Sequence, residues 1–380
     1  MNLHRWPAQQ RVRHDTPVAE ALPPELADVS RVVLVTTRSL ADSAILRAAR
    51  QAIGAKLAAE TSAMRAHSPL PDVLALAALL REHRAERVVA LGGGSVIDGS
   101  KVACAAVWHG VTDMPGLLAR ATSRGAEPDF WGDVVPSPRI VAIPTTLSAA
   151  EFAPHAGATD IEAHRKLRFL EAMQVPVAVI LDPAATLETP AELLLSSGIR
   201  AVDHAVERWC ATATAPFSDA VSLQAMRMLA ESLPAIRRDP SDLAARGAAQ
   251  QAMWLSVMGG WAGVPVGASH GIGYILGGAR GVPHGITSCL SLPAVLQWNA
   301  PVNAARQADV ARIFGGAEGH SAVRDFIARL GLPTRLRDVG IPPEDIPDLA
   351  SRWDGGPPIA TNPRPVRGRA ELEEILRLAA

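Results

Sequence analysis

The sequence predicts an α/β N-terminal domain with a parallel sheet and an all-α C-terminal domain. Three observations support this. Short runs rich in Val and Ile alternate with amphipathic helical patterns as far as Pro183, and from Pro190 onward the pattern is almost wholly helical. At 380 residues the chain is also too long for one ordinary core.

Taken in order, "RVVLVTT" (31–37) is a β-branched run that predicts a strand. "SLADSAILRAARQAI" after it has apolar residues at helical spacing. "DVLALAALLREHRA" predicts a further helix, and "RVVALGGG" (87–94) a buried strand ending in glycines, from which "VIDGSKVACAAV" starts a helix. "RIVAIPTT" (139–146) and "VAVILDP" (177–183) are two more strands without polar alternation, as a parallel sheet covered on both faces requires. "AELLLSSGIRAVDHAVERWCA", "SDAVSLQAMRMLAESLPAIRR" and "ARGAAQQAMWLSVMGGWAG" then read as helices, as do "QADVARIFGG", "AVRDFIARLGL" and "AELEEILRLAA". The chain has no internal repeat. The domains are expected over residues 1–185 and 186–380, with ligands at the carboxyl ends of the strands, in a cleft between them.

The net charge of −1 gives no electrostatic reason to expect nucleic acid or an anionic membrane, and an aromatic content of 4% leaves little for base stacking. Lys56, Lys101 and Lys166 are the only lysines, which is a compositional bias toward arginine rather than a site. Cys104, Cys210 and Cys289 lie far apart with no C-x-x-C pair, which fits a reducing, cytoplasmic setting. "MNLHRWPAQQRVRHD" lacks the apolar core of a secretory signal, and no stretch of about twenty apolar residues predicts a membrane span.

"GGGSVIDGSK" (92–101) lies between a predicted strand and a predicted helix. Glycines let the backbone approach a phosphate, and a helix N-terminus offers unpaired N–H groups and a positive dipole end. Pyrophosphate binding is expected here, although the run is neither G-x-G-x-x-G nor a P-loop. Ser95 is expected to cap that helix as well as donate to phosphate, and Asp98 and Lys101 to be structural partners of the helix start.

In order along the chain stand "GGGSVID", "IPTTLSAAEF", "GIRAVDHAVE", "HGIGYILGGARGVPHG" and "TNPRPV". With these motifs the sequence resembles the iron-containing (group III) alcohol dehydrogenases and, among them, the maleylacetate reductases. The resemblance spans nearly the whole chain. It implies a dinucleotide-binding domain, a helical domain, NAD or NADP as cofactor, a small carbonyl or keto-acid substrate, and a homodimer or larger assembly. Gly92, Gly93, Gly94 and Ser95 would hold the pyrophosphate, and Thr145 and Thr146 would lie along the nicotinamide, with Ser148 close by. At the end of the first strand Thr36, Thr37 and Arg38 stand where an acid often binds the adenosine ribose, so NADP is expected to be tolerated beside NAD.

In the iron-dependent members, the resemblance implies a metal held by an Asp and a His one helical turn apart and by two further histidines fourteen residues apart. His204, His270 and His284 match the histidines, but Arg200 stands where the Asp belongs. A guanidinium cannot ligate a cation. Adjacent helical residues point about 100° apart, so Asp203 is not expected to reach the same ion as His204. His155 and His164 are not at a matching spacing. Three histidines alone can hold zinc with one position open, but loss of the metal, as in the maleylacetate reductases, is the favoured expectation.

Arg200 and the three histidines are then expected to line a substrate pocket, with glycines letting the "GGARGVPHG" loop turn closely against it. Arg200 has another candidate role, as an interdomain salt-bridge partner of Glu207 or Glu151. Tyr274, one turn after His270, is a candidate proton donor or a buried hydrogen-bonded tyrosine. "TSRGAEPDFWG" (122–132) reads as a loop over the cleft or a dimer contact, and Cys289 has no neighbour that would make it a nucleophile.

The function expected is therefore NAD(P)H-dependent reduction of an anionic unsaturated keto-acid by hydride transfer without a metal, the proton coming from an imidazole or Tyr274. An alcohol dehydrogenase or aldehyde reductase holding Fe²⁺ or Zn²⁺ on His204, His270 and His284 is the alternative. A lyase of the dehydroquinate-synthase kind is disfavoured by the missing acidic ligand and the few lysines. A binding protein that kept the cofactor fold and lost catalysis is a further possibility.

Overall fold

The computed structural model describes residues 8–122, 135–163 and 165–380. His164 and all but the first residue of "TSRGAEPDFWG" lie outside them. The described chain forms two compact units, the first ending at Thr189 and the second starting at Pro190.

The first unit contains strands β1 (Arg11–His14), β2 (Val32–Val35), β3 (Leu57–Thr61), β4 (Arg87–Gly92), β5 (Arg139–Pro144), β6 (His155–Asp160), β7 (Arg165–Leu170) and β8 (Ala178–Leu181). Six of them form one parallel sheet in the order β1-β8-β5-β4-β2-β3, and β6 and β7 pair antiparallel as a hairpin. Its helices are α1 (Val18–Glu25), α2 (Ala44–Ile53), α3 (Leu70–Glu82), α4 (Gly94–Trp108) and α5 (Met114–Ala119).

Val32, Leu34, Val89, Leu91, Val141 and Ile143 share a core with Leu22 of α1 and Leu46 of α2. Their neighbours Val33, Val88, Ala90, Ile140 and Ala142 point to the opposite face and are also buried. Burial on both faces is why these strands read as continuous apolar runs. β1, β3 and the hairpin are not apparent from the residue pattern. β1 and β3 are the sheet edges, where alternation and β-branching are weakest. Arg11 and Arg13 of β1 each donate to Glu25 at 2.7 Å, which accommodates a charged tetrapeptide there.

The buried Lys101 ammonium of α4 donates to the carbonyls of Ala150, Ala153 and His155, while Asp98 accepts from the Gly157 amide at 2.9 Å. Both residues fasten α4 to the hairpin and to the segment leading into it.

The second unit contains α6 (Ala191–Trp209), α7 (Pro216–Arg238), α8 (Leu243–Met258), α9 (Ala268–Arg280), α10 (His284–Phe314), α11 (Gly319–Arg329), α12 (Ile346–Ser351) and α13 (Arg369–Leu378). α10 is kinked at Asn303, two residues after Pro301, and the Asn303 amide donates to the Cys210 carbonyl at 3.0 Å. α9 and α10 are joined by Gly281, Val282 and Pro283 alone, with Gly281 in the left-handed region at φ +66°. The expected "GGARGVPHG" loop is therefore shorter than its motif, because Gly277 and Gly278 belong to α9. Among the described residues no helix is long and apolar enough to cross a membrane.

Candidate active site

In the helical unit, α6 carries Arg200, Asp203, His204 and Glu207, α9 carries Ser269, His270 and Tyr274, and α10 carries His284 and Ser288. Glycines let these helices approach closely. A Cβ on Gly285 would lie 2.5 Å from the Ser196 carbonyl carbon, and one on Gly273 would lie 2.8 Å from Thr287 Oγ1 and 3.5 Å from Arg200 Nη1. One on Gly277 would lie 3.5 Å from the His284 ring. The glycine density noted in the sequence is thus helix-to-helix contact more than loop formation.

Arg200 Nη1 donates to Ser288 Oγ at 3.0 Å and lies 3.5 Å from Asp203 Oδ2. The same Oδ2 accepts from the hydroxyls of Ser288 (2.6 Å) and Ser269 (3.0 Å), while Asp203 Oδ1 is buried without a hydrogen-bond partner. Within the helical unit Arg200 therefore pairs with Asp203, and not with Glu207. Glu207 accepts from the amides of Ser269 (2.8 Å) and Gly267 (2.9 Å), and its Oε2 shares a hydrogen bond of 2.7 Å with His270 Nδ1. Asp203 and Glu207 are both buried. Burial and the nearby Glu207 charge push the Asp203 carboxyl up, against Arg200 and the serine hydroxyls. Burial raises Glu207 as well, against its amide donors.

His204 and His270 lie ring against ring, with centroids 4.6 Å apart, and Tyr274 meets His284 edge-on at 6.2 Å. Arg200 and His270 are buried, whereas His204, Tyr274 and His284 are half-buried. The late "TNPRPV" motif supports the start of α9. Asn362 accepts from the Ala268 amide and exchanges amide hydrogen bonds with Asn299 at 2.7 and 3.1 Å. The Cys289 thiol is pushed up by burial and donates to the Gly285 carbonyl.

Ligand atoms of Asp203, Glu207 and His270 lie within 4.8 Å of one another, close enough to be weighed as a cation site. The donor set does not fit one. Asp203 Oδ2 already accepts from two hydroxyls and both Glu207 oxygens from backbone amides, Glu207 and His270 are hydrogen-bonded to each other, and the Arg200 cation stands 3.5 Å from Asp203. Arg200 also stands one turn before His204 on α6, where an acidic co-ligand for His204, His270 and His284 would be expected. His155 is exposed on β6 in the first unit.

In that first unit, β4 ends at Gly92 and α4 starts at Gly94, with Gly93 as its cap. Ser95 does not cap the helix. Its hydroxyl accepts from the His67 amide at 2.9 Å. A Cβ on Gly93 would lie 3.2 Å from Thr146, and one on Gly94 would lie 3.2 Å from Ser148, so the glycine turn is held against the "PTTLS" segment. Thr145 is fixed there by the Gly92 carbonyl (3.1 Å) and by the Thr189 hydroxyl (2.7 Å), and Thr146 Oγ1 is buried with no hydrogen-bond partner. Thr37 is half-buried after β2, bridged to Ala63, beside the exposed Arg38. A bare glycine turn at a helix N-terminus beside an unpartnered threonine hydroxyl suits a dinucleotide.

Sequence reasoning missed Glu207, Ser269 and Ser288 as members of the acid–imidazole cluster. The available signal was the spacing in "RAVDHAVE": Arg200, Asp203 and Glu207 recur at three and four residues, on one helix face.

Two family models cover nearly the whole chain. "Iron-containing alcohol dehydrogenase" matches residues 9–183, and "Fe-containing alcohol dehydrogenase family, C-terminal" matches residues 194–380. A maleylacetate reductase of Sphingobium indicum is 30% identical over 93% of this chain and 90% of its own. A probable alcohol dehydrogenase of Escherichia coli, EutG, is 31% identical over 82% and 76%. The crystal structure of maleylacetate reductase from Rhizobium sp. superposes with a TM-score of 0.80 at 26% identity, covering 100% of this chain and 98% of that one. The chain belongs to the iron-containing alcohol dehydrogenase family of oxidoreductases, a family in which its relatives include maleylacetate reductases.

Proposed function

We propose that the protein reduces an anionic, unsaturated keto-acid of the maleylacetate type with NADH or NADPH, and that it does so without a metal. The observation that carries this is Arg200. Its guanidinium is tethered by Ser288 and Asp203, a tenth of its side chain remains exposed, and it stands where the metal-holding relatives are expected to carry an acidic ligand. A guanidinium matches a carboxylate in charge and in bidentate shape, and it excludes a divalent cation from the same place.

The dinucleotide, when bound, supplies the hydride. Gly92, Gly93, Gly94 and Ser95 present backbone N–H groups for its pyrophosphate, and Thr145, Thr146 and Ser148 provide a polar wall for the nicotinamide. Thr37 and Arg38 put no carboxylate near an adenosine 2′-phosphate, which leaves NADP admissible. Arg200 binds a substrate carboxylate. Hydride addition to the alkene carbon conjugated with the keto group places an electron pair on the keto oxygen as an enolate. The cationic surroundings of Arg200 stabilise that charge. A proton from the imidazole–tyrosine group then completes the neighbouring carbon.

The test is oxidation of NADH and NADPH with maleylacetate and with simple aldehydes, before and after exhaustive chelation. Turnover of the diacid that survives chelation supports the proposal. Aldehyde turnover lost on chelation and restored by Fe²⁺ or Zn²⁺ overturns it, and makes His204, His270 and His284 ligands of a metal-dependent alcohol dehydrogenase.

A further inference from the structure

Arg208 of α6 makes no ion pair among the described residues. The acids nearest it along the helix are committed elsewhere: Asp203 to Arg200 and two serines, Glu207 to His270 and two amides. Arg208 Nη1 donates to the carbonyls of His204 (3.2 Å) and Ser256 (3.1 Å), whereas Nε is buried with no hydrogen-bond partner. Nη2 donates to no described residue either. The guanidinium is therefore anchored at one end, and its Nε–Nη2 edge is left over. A buried N–H without an acceptor is costly, and folded proteins keep few of them.

The turn after α8, Gly259–Ala262, meets that edge with glycine alone. A Cβ on Gly260 would lie 3.0 Å from Nη2 and 3.5 Å from Nε, and one on Gly259 would lie 3.0 Å from Cδ. Gly259 is buried, but Gly260 is exposed, so the guanidinium edge borders the surface where a longer side chain would cover it. Along α6, Arg200, His204 and Arg208 recur every fourth residue. Their side chains leave the helix in one stripe, whose ends are about 12 Å apart along the axis. The charges of Arg200 and Tyr274 both bear on Arg208. Two cations at the ends of one stripe repel each other, and a dianion held between them removes that repulsion.

We propose that Arg208 is a specificity-determining residue that takes the second carboxylate of a dianionic substrate on its Nε–Nη2 edge, while Arg200 takes the first. This rests on the keto-acid reductase proposed above, and adds to it a reason for preferring a diacid to a monoacid. Nε–H and Nη2–H point the same way in the guanidinium plane, which is the geometry that meets both oxygens of one carboxylate. The carboxylate gives the buried Nε its acceptor, and Nη1 keeps the two carbonyls that hold the group in place.

Adipate and hexanoate, unreactive acids with the six-carbon chain of maleylacetate and with two charges or one, are the probes. Calorimetric titration of the full chain with NAD present should find adipate bound roughly thirtyfold more tightly than hexanoate. Arg208→Gln should abolish that preference. Gly260→Val, which covers the edge and leaves the cation, should abolish it as well, and decides the matter if Arg208→Gln fails to fold. In kinetics, Arg208→Gln should raise KM for maleylacetate roughly thirtyfold with little change in kcat, and leave KM for a monoanionic keto-acid almost unmoved. Wild-type protein that does not prefer adipate overturns the inference, as does a preference that survives substitution of Arg208 or Gly260. Equal KM losses for diacid and monoacid also overturn it, and reduce Arg208 to a strut between α6 and α8. A preference for adipate that depends on Arg208, in a protein that does not turn over maleylacetate, upholds the anion site and counts against the proposed reaction.

Discussion

Glu151 in the first unit and Glu207 in the second are both buried glutamates, yet their surroundings are opposite. Neither oxygen of Glu151 has a hydrogen-bond partner, and the nearby Lys101 ammonium is already committed to three backbone carbonyls. Burial pushes the Glu151 carboxyl up to about 7 despite that lysine. Glu207 instead accepts from two amides at the start of α9 and shares a hydrogen bond with His270. A carboxyl without donors can stay buried only by holding its proton, whereas one that meets two backbone amides also ties one helix to the start of another. The contrast separates a carboxyl tolerated by the fold from one the fold has been built around.

The largest expected effect comes from removing the cation beside Asp203 and Glu207. Arg200→Met should reduce kcat/KM for a diacid by a factor of a hundred or more, corresponding to about 3 kcal/mol of lost charged hydrogen bonding. An uncharged aldehyde should be affected far less. Parallel kinetics on the two substrates decide the matter, since equal losses would reduce Arg200 to a structural support for Asp203.

The lone glutamate makes the next prediction, and its sign follows from linkage. The folded-state value of about 7 lies above the ordinary 4.5, so the folded form binds the proton more tightly than the unfolded chain does. The stabilising contribution is complete below about pH 4.5 and is lost as the pH rises through 7. It amounts to about 3 kcal/mol from this one group. Glu151→Gln, neutral at every pH, should remove that slope from a urea-denaturation series between pH 5 and 7.5. An unchanged slope would mean that Glu151 is paired as well as Glu207 is.

Legibility in the sequence followed the same division. The buried strands β2, β4, β5 and β8 and the helices after Pro190 were readable, because continuous apolar runs and helical periodicity are local signals. The edge strands were not. "RVRH" owes its place to Glu25, which lies in α1, and "LAAET" has Thr61 alone to argue for extension. At the site, Arg200, the three histidines and the glycine turn stood out by residue type and family position. The role of Glu207 did not, since it depends on where the amides of Gly267 and Ser269 fall, sixty residues later in the chain. The pairing of Arg200 with Asp203 was hidden for a related reason. Asp203 sits three residues away on the same helix, and only the serines at 269 and 288 turn its carboxylate toward the guanidinium.

The smaller effects concern the glycines that bring these helices together. Gly285→Ala sets a methyl group 2.5 Å from the Ser196 backbone, which has no side chain to swing aside, so α10 must move away from α6. The expected cost is about 1–3 kcal/mol, read from the urea midpoint. Gly278→Ala should have the opposite sign. Gly278 is exposed within α9, and no described atom lies within 4 Å of its Cβ position. Its only consequence is the conformational freedom it gives the unfolded chain, so alanine there should stabilise the protein by about 0.5–1 kcal/mol. If Gly278→Ala leaves stability raised but slows turnover of the diacid, then the last turn of α9 moves during the reaction and this glycine is kept for that motion. If stability rises and turnover is untouched, Gly278 is incidental to the site, and the glycines that matter in "GIGYILGGARGVPHG" are those with a neighbour packed against them, at 271, 273, 277 and 285, and the left-handed Gly281.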